Sequence, residues 1–243
     1  MRVLGIVAYD GINYNGWQRQ PDEPSIQGEI ERVLSQILDT HIEVYGSGRT
    51  DRGVHAKGQT FHFDIDKSFD LNKLLIGFNS LVNKDIRLLK LKRIKNDFHA
   101  RYNAKGKFYY YLINNGEYSP FDRQYCMQIR AQLDIAAMTN ATRLFIGTHN
   151  FQDFTTKDED KDGYVRTIND ISIKTKGKLI RIDINGSGFM TYMIRFIVGT
   201  LIAIGNGKED ESFIKRHLDS ASRDVISYKA EAQGLYLYRV LYK

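Results

Sequence analysis

Apolar positions in residues 1–100 repeat with the periods of alternating strands and helices. The stretch Val3 to Tyr9 is predicted as a strand, and Ser25 is placed as the N-cap of a helix. The apolar face of that helix is formed by Ile26, Ile30, Val33, Leu34, Ile37 and Leu38. Three further strands are predicted at His41 to Tyr45, Gln59 to Ile65 and Ile86 to Ile94. Asp70 is predicted as the N-cap of a second helix that begins with Leu71. The predicted order is βαββαβ, which is the ferredoxin-like pattern.

Residues 101–243 repeat this order of elements without detectable sequence identity to residues 1–100. The predicted elements are the strand Lys107 to Ile113, a helix face through Leu133, Ala137, Ala141, Leu144 and Phe145, the hairpin Arg166 to Lys174 with Leu179 to Asn185, the helix Phe189 to Ile204, and the strand Leu235 to Tyr242. The acidic run Lys157 to Gly163 is predicted as a solvated loop. We therefore predict an α+β protein of two tandem ferredoxin-like halves, 1–100 and 101–243, with a largely antiparallel sheet and a central cleft.

The composition is that of an ordinary globular protein. Its 243 residues are 42% hydrophobic and 26% charged, which is enough to bury a core. The apolar N-terminus is short and lacks a cleavage site. The longest apolar run, Phe189 to Ile204, contains Arg195 and is shorter than the roughly 20 residues of a bilayer span. We expect no signal peptide and no membrane segment, and the single cysteine, Cys126, fits a reducing cytoplasm.

The distribution of charge is more informative than the net charge of +6. Residues 90–111 interleave cations with aromatic rings: Lys90, Lys92, Arg93, Lys95, Arg101, Lys105 and Lys107 with Phe98, Tyr102, Phe108, Tyr109, Tyr110 and Tyr111. Cations for phosphates beside rings for stacking suit an RNA groove. A solvated strand edge protected by lysines is the other interpretation, and for the lysines alone it is the better one.

The segment 46–56, which we call the Asp51 loop, is the main candidate for chemistry. Three glycines within residues 46–53 let the backbone lie close to a ligand. Asp51 is the only carboxylate in the loop, and Arg49 and Arg52 on either side favour its charged form. An ionised carboxylate at a loop apex can act as nucleophile, base or electrostatic stabiliser. The composition is equally that of an ordinary turn, and for this segment alone the turn is favoured.

The strand at Lys107 divides into two faces by its period of two. We expect Phe108, Tyr110 and Leu112 to serve the core. Lys107, Tyr109 and Tyr111 then form a surface with one cation and two phenols, which could stack on a base, donate a hydrogen bond or move a proton. A tyrosine-rich strand selected for packing is the other interpretation, and it is favoured for each tyrosine taken singly.

Arg195 lies inside a helix that is apolar on nearly every face. A buried charge needs an acidic partner or an opening to a site. One interpretation is that Arg195 faces the cleft and pairs with Asp51. The other is an arginine that extends to solvent or forms a structural ion pair elsewhere.

The remaining motifs exclude some chemistry and leave one loop open. The six histidines lack metal-ligand spacing and there is no cysteine pair, so no metal is expected. No phosphate-binding loop or dinucleotide fingerprint is present, and no cofactor is expected. The segment Tyr9 to Gln20, with Trp17, is either a ligand-facing loop or an ordinary long loop.

Five segments, in this order, resemble motifs of the tRNA pseudouridine synthase A family, nearly end to end. They are Tyr9-Asp10-Gly11 through Gly16-Trp17-Gln18-x-Gln20, Gly48-Arg49-Thr50-Asp51-x-Gly53-Val54-His55-Ala56, Phe98-His99-Ala100-Arg101 with Lys107-x-Tyr109-x-Tyr111, Gly188-Phe189-x-x-x-Met193-Ile194-Arg195-x-x-x-Gly199, and Gly234-Leu235-Tyr236-Leu237. Departures from the family pattern, none of which removes a presumed catalytic group, are Arg52, Met190, Thr191, Asn150 and Gln233. The resemblance places the active-site aspartate on Asp51, the tyrosine on Tyr109 and the motif arginine on Arg195.

The resemblance implies a pseudouridine synthase fold and an isomerase that converts uridine to pseudouridine at positions 38 to 40 of the tRNA anticodon stem-loop, without cofactor or metal. The hypothesis is that Asp51 is the nucleophile and that Arg49 and Arg195 hold its charge and orientation. Tyr109 would stack on the uracil and take part in removing the C5 proton, and Lys107, Tyr111 and Arg52 would contact substrate. The resemblance also implies a cytoplasmic homodimer that binds tRNA.

Two alternatives stay open at this point. The first is a tRNA-binding or chaperone protein without catalysis, which shares the basic and aromatic surface but does not account for an acid flanked by arginines. The second is a carboxylate-dependent nucleosidase or RNA hydrolase, which would normally need a second carboxylate. The motifs supply no obvious partner acid.

Overall fold

The chain forms two compact units in a computed structural model that describes residues 1–66, 69–156, 163–220 and 223–242. The first unit comprises Met1–Lys105 with Tyr236–Lys243, and the second comprises Gly106–Leu235. The predicted loop at Lys157 to Gly163 lies outside the described residues except for Gly163. Both units combine helices with mostly antiparallel sheet, which confirms the α+β class.

The first unit has the predicted βαββαβ order followed by the last strand of the chain. Its elements are β1 (Arg2–Tyr9), α1 (Ile26–Leu38), β2 (Tyr45–Gly46), β3 (His55–Asp64), α2 (Leu71–Leu81), β4 (Ile86–Arg93) and β10 (Leu235–Leu241). The strands run in the order β4-β1-β3-β10, and β2 pairs with β3. All of these pairings are antiparallel except that of β10 with β3, which joins Tyr236 to His55 and Leu237 to Ala56 in parallel.

Both predicted helix caps of the first unit are confirmed. Ser25 Oγ accepts a hydrogen bond from the Gly28 main-chain N–H at 3.2 Å, and the Asp70 carboxylate accepts from the main-chain N–H groups of Asn72 and Lys73. These caps satisfy donors that the first helical turn leaves without partners.

The predicted strand at His41 to Tyr45 is wrong in length, since β2 has two residues. The main-chain N–H of Ile42 donates to Ser35 Oγ and that of Val44 donates to Glu31 Oε1. These donors are therefore satisfied by side chains of α1 instead of a neighbouring strand.

The second unit is built around a four-stranded antiparallel order, β5-β9-β8-β7, with β6 added in parallel to β5. Its elements are β5 (Gly106–Asn114), β6 (Met127–Gln128), α3 (Ile135–Thr142), β7 (Gly147–Asn150), β8 (Val165–Lys176), β9 (Leu179–Gly186), α4 (Met193–Gly205) and α5 (Glu211–Leu218). The predicted hairpin is confirmed as β8 and β9, joined at Gly177 with a φ of 59°.

Helix α4 begins at Met193, later than the predicted start at Phe189. Tyr192 has a φ of 60°, a left-handed conformation that cannot continue a right-handed helix toward the N-terminus. Along α4, twelve of the thirteen residues are buried, and Arg195 is the exception. Within the described residues, no helix combines the length and apolar character needed to cross a membrane.

Candidate active site

The Asp51 loop is anchored on one side by buried polar side chains. Ser47 is fully buried; its main-chain N–H donates to the Thr60 carbonyl at 2.8 Å, and its hydroxyl donates to Gln59 Oε1 at 2.6 Å. The Gln59 amide in turn donates to the Gly48 carbonyl at 3.0 Å. Buried polar groups that are fully hydrogen-bonded specify one conformation, so this end of the loop has a fixed backbone.

Thr50 fixes the loop immediately before the aspartate. Its hydroxyl is 2.9 Å from the Tyr9 hydroxyl, and its carbonyl accepts a hydrogen bond from the Trp17 main-chain N–H at 3.0 Å. Burial raises the pKa of Tyr9 well above its usual range. The Tyr9 phenol is therefore neutral at physiological pH and places no negative charge beneath Asp51.

The segment Tyr9 to Gln20 packs directly against the Asp51 loop. A Cβ on Gly11 would lie 2.0 Å from the Val54 carbonyl oxygen, and one on Gly16 would lie 2.4 Å from the Thr50 carbonyl oxygen. Trp17, which is 2% exposed, packs against Tyr9 and Phe61 at ring distances of 6.2 and 6.3 Å. Two glycines of this segment thus permit close approach of the two backbones.

The three charged residues of the loop differ in environment. Asp51 is half-buried, and its carbonyl accepts from the Val54 main-chain N–H at 3.1 Å. Arg49 is exposed and its Nε donates to Gln18 Oε1 at 3.0 Å, while Arg52 is exposed. The carboxylate is thus carried on a fixed backbone between two cationic side chains that remain accessible to an anionic ligand.

His55 closes the loop as a buried ring. It is 2% exposed, its Nδ1 lies 3.0 Å from the Asp10 carboxylate, and its ring stacks on Tyr236 at 4.6 Å. These contacts assign His55 to local support of the loop. Among the described residues, no group of three or more His, Cys, Asp or Glu side chains could hold a metal ion.

Arg195 lies in the first turn of α4, in the second unit. Its Nε donates to the Ala230 carbonyl at 2.8 Å, and its own carbonyl accepts from the Ala230 N–H at 2.9 Å. The guanidinium is 5.1 Å from the centre of the Tyr192 ring. The hydrogen bond from Nε to Ala230 thus helps to position the half-buried side chain of Arg195. The predicted pairing of Arg195 with Asp51 stays a prediction.

The burial of β5 does not follow the two faces expected from the sequence. Tyr111 and Ile113 are fully buried, whereas Phe108 and Leu112 are only half-buried. Of the three residues predicted for the core, only Tyr110 is buried. The Tyr111 hydroxyl donates to the Glu231 carbonyl at 2.7 Å, so its polar end is satisfied inside the second unit. A substrate contact by Tyr111 stays a prediction that this geometry does not favour.

The other two predicted substrate residues of β5 precede Tyr111 on the strand. Tyr109 is 8% exposed and meets the Phe189 ring edge-on at 5.4 Å, and Lys107 is half-buried. The contact between Tyr109 and Phe189 joins the motif of β5 to the motif that leads into Arg195.

The residues of the basic stretch 90–111 fall into two groups, one on a strand edge and one in a groove. Lys90, Lys92 and Arg93 lie on β4, which is the outer strand of the first unit's sheet. Arg101 and Tyr102 instead line a groove beside the Asp51 loop, together with Arg49. The β4 cations are thus typical of a protected edge, whereas Arg101 and Tyr102 belong to a concave surface.

Sequence reasoning missed the side chains that hold the loop. The sequence placed Tyr9, Ser47, Thr50 and Gln59 in strands, loops and motifs, but it assigned none of them a role in holding the loop. Their pairing joins residues far apart in sequence, and a single sequence carries no signal for such pairs.

Comparison with known proteins identifies the family to which the chain belongs. A model described as tRNA pseudouridine synthase matches residues 6–103 and 141–243, which include the Asp51 loop and Arg195. The chain is therefore an enzyme of the isomerase class that acts on RNA. It belongs to the tRNA pseudouridine synthase family.

Individual relatives are similar over nearly their whole lengths. The chain is 38% identical to tRNA pseudouridine synthase A 2 of Clostridium perfringens, over 97% of each chain. It is 38% identical to tRNA pseudouridine synthase A of Borrelia hermsii, over 100% of this chain and 99% of that one. For the enzyme of that name in Halalkalibacterium halodurans, the identity is 40% over 97% and 90%. A chain of the archaeal box H/ACA sRNP complex has 13% identity and a TM-score of 0.36 over 83% of this chain and 43% of its own.

Proposed function

We propose that the protein isomerises uridine to pseudouridine at positions 38 to 40 of the tRNA anticodon stem-loop, with Asp51 as the nucleophilic carboxylate. The observation that supports this is the Asp51 loop itself. Its backbone is held by Ser47, Thr50 and Gln59, and it carries one half-buried carboxylate between two exposed arginines. A preorganised charge is a feature that catalysis needs and that a simple turn does not.

The reaction exchanges one bond for another within the same nucleotide. The N1–C1′ glycosidic bond breaks, the uracil rotates, and C5 bonds to C1′. The proton leaves C5 and N1 takes one up, so atoms balance and nothing is oxidised. A carboxylate can split this exchange into two easier steps through a covalent intermediate, with attack at either the sugar or the base.

The other residues have supporting roles in the proposal. Arg49 and Arg195 hold the charge and orientation of Asp51; for Arg195 the support is its place in the motif Gly188 to Gly199. Tyr109 stacks on the uracil and takes part in removing the C5 proton. Lys107 and Arg52 contact the RNA backbone in this proposal, and a substrate contact by Tyr111 stays a prediction.

The substrate has to deform to reach a carboxylate on a loop. A uridine stacked in a stem or loop must leave its neighbours, so base flipping is part of the proposal. Contacts from arginine and lysine to phosphates make tRNA binding sensitive to salt. We further propose that the enzyme acts in the cytoplasm as a homodimer.

Product analysis on an unmodified tRNA transcript tests the proposal. Isomerisation yields a nucleoside of unchanged mass at one or more of positions 38 to 40, and no strand is cut. Tight binding with unchanged nucleosides would support the non-catalytic alternative. Release of free uracil or cleavage of the RNA would support hydrolysis, and either result would overturn the proposal.

A further inference from the structure

A groove within the first unit lies beside the Asp51 loop, and of the residues that line it only Arg49 has a role in the mechanism described so far. We call it the Arg49 groove. Its volume is about 360 Å³, near the low end of the roughly 300–1,000 Å³ typical of ligand pockets. Its walls include Trp17, Tyr45, Arg49, His99, Arg101 and Tyr102. Only Thr50 separates Arg49 from Asp51 in the sequence, so an occupant of this groove adjoins the loop apex.

Aromatic rings form one wall of the groove. Tyr102 and Tyr45 are 77% and 47% exposed, and their rings lie 4.3 and 6.0 Å from that of His99. Behind them, the buried His62 ring is 5.1 Å from Tyr45 and 4.7 Å from His99. Two tyrosines that are exposed to this extent present flat surfaces on which an unpaired base can stack.

The two imidazoles of this cluster are neutral at physiological pH. Burial, with a further contribution from neighbouring cations, lowers the pKa of His62 to about 4 and also lowers that of His99. The ring cluster therefore offers stacking surface and not charge. Phosphate binding must come from the arginines.

The charges in the groove favour an anion even though two glutamates line it. Glu31 is 5% exposed and is bound by Arg19, by Gln27 and by the Val44 main-chain N–H. Glu43 accepts a hydrogen bond from the Tyr45 hydroxyl. The Glu31 charge is thus paired inside the protein, whereas Glu43 is exposed and keeps its charge. Arg49 and Arg101 are also exposed at the groove, so two arginines outweigh the one exposed carboxylate that a ligand meets.

We propose that the Arg49 groove binds one unpaired nucleotide of the substrate RNA next to the target uridine. Its base stacks on the rings of Tyr102 and Tyr45, and its phosphate binds Arg49 and Arg101. The inference rests on the proposed function, because it assumes an RNA substrate whose target base reaches Asp51. The groove would hold the strand on one side of the flipped uridine.

Abasic scanning of the RNA, combined with a mutation of the stacking residue Tyr102, tests this inference. The probes are anticodon stem-loop RNAs, each with one loop nucleotide other than the target replaced by an abasic ribose. Tyr102→Ala is the variant, and its high exposure means that the fold does not depend on it. Tyr118→Ala, which removes a 48%-exposed tyrosine of the second unit, is the matched control.

We expect Tyr102→Ala to weaken binding of the intact RNA by about 5- to 150-fold, the effect of one stacked base. One abasic RNA should bind wild-type protein more weakly by a similar factor, and Tyr102→Ala should weaken that RNA no further. Tyr118→Ala should behave as wild type throughout. The inference is overturned if Tyr102→Ala binds every RNA as tightly as wild type, or if its effect multiplies with that of each abasic site.

Salt dependence and turnover complete the test. Arg101→Gln should reduce the slope of log affinity against log salt by about 0.7, the value for one phosphate contact in single-stranded RNA; an unchanged slope would contradict the phosphate contact. If the wild-type protein forms pseudouridine but Tyr102→Ala and every abasic site weaken binding independently, only the groove proposal is overturned. If Tyr102→Ala and one abasic site weaken binding non-additively but no RNA gains pseudouridine, the proposed function is overturned instead.

Discussion

Tyr9 and Thr50 link the first strand to the Asp51 loop through one hydroxyl–hydroxyl contact of 2.9 Å. Both residues are buried, at 4% and 7% exposure, so neither hydroxyl can readily exchange its partner for water. Losing one partner of a buried pair leaves the other unsatisfied and costs more free energy than losing both. The contact is therefore a sensitive measure of how the loop is held.

Removing the two hydroxyls separately and together tests this link. Tyr9→Phe and Thr50→Val should each lower the free energy of unfolding by about 1–3 kcal/mol. The double variant should lose clearly less than the sum, as measured by urea unfolding. Strict additivity of the two losses would show that the hydroxyls do not depend on each other.

At the same scale, β5 shows where residue-level prediction fails. The sequence assigned the core to Phe108, Tyr110 and Leu112. The structure buries Tyr110 but leaves the other two half-buried, and it also buries Tyr111 from the face predicted as a surface. That choice depends on the Glu231 carbonyl, which accepts from the Tyr111 hydroxyl across 120 positions of sequence. A tyrosine can be buried only where such a distant partner exists, and periodicity does not report it.

At the scale of elements, the Asp51 loop and the segment beneath it are held together by backbone contact. Gly16 has a φ of 88°, and a Cβ there would lie 2.4 Å from the Thr50 carbonyl oxygen. Both the conformation and the space exclude a side chain at this position. Any larger residue must push the two segments apart.

Gly16→Ala therefore should lower the free energy of unfolding by more than about 1 kcal/mol and reduce pseudouridine formation as Asp51 shifts. Gly77→Ala is the matched control. It lies in α2, where the added Cβ would meet Ile37 Cδ1 at 3.7 Å, and it should stabilise by about 0.5–1 kcal/mol. Thermal and urea unfolding with parallel activity assays measure both. A neutral Gly16→Ala would show that the loop tolerates separation.

The elements that the sequence predicted well are those with many periodic residues and local caps. Helices α1 and α2 have N-caps formed by neighbouring residues, and β8 and β9 are joined by a short turn at Gly177. In contrast, β6 has two residues and β7 has four, too few for a period. The N-terminus of α4 depends on one left-handed residue, Tyr192, that composition does not mark.

At the scale of the whole molecule, the buried His62 makes stability depend on pH. Its Nδ1 accepts a hydrogen bond from the Ala100 main-chain N–H at 3.2 Å, a bond that only the deprotonated nitrogen can accept. The titratable and charged groups around it are Arg2, Asp64 and the imidazole of His99. Burial is the largest cause of its lowered pKa.

The sign of the effect follows from the two pKa values. The unfolded imidazole titrates near 6.5 and the folded one near 4, so the unfolded state binds more protons between them. Stability that is complete above pH 6.5 is therefore lost as the pH falls toward 4. Urea unfolding across this range should show a falling free energy of unfolding that His62→Asn flattens. His41→Asn, which alters an exposed ring, should leave the slope unchanged. A flat wild-type profile would contradict this account.

The central claim is that Asp51 performs the chemistry, and one variant tests it most directly. Asp51→Asn keeps the size of the side chain and removes its charge. The control, Asp39→Asn, makes the same change at the left-handed C-cap of α1, a conformation that asparagine tolerates.

The measurement is the single-turnover rate of pseudouridine formation on unmodified tRNA. We predict a fall of roughly a thousandfold or more for Asp51→Asn, with tRNA binding retained, and a wild-type rate for Asp39→Asn. Formation of pseudouridine by Asp51→Asn at the wild-type rate would contradict the account.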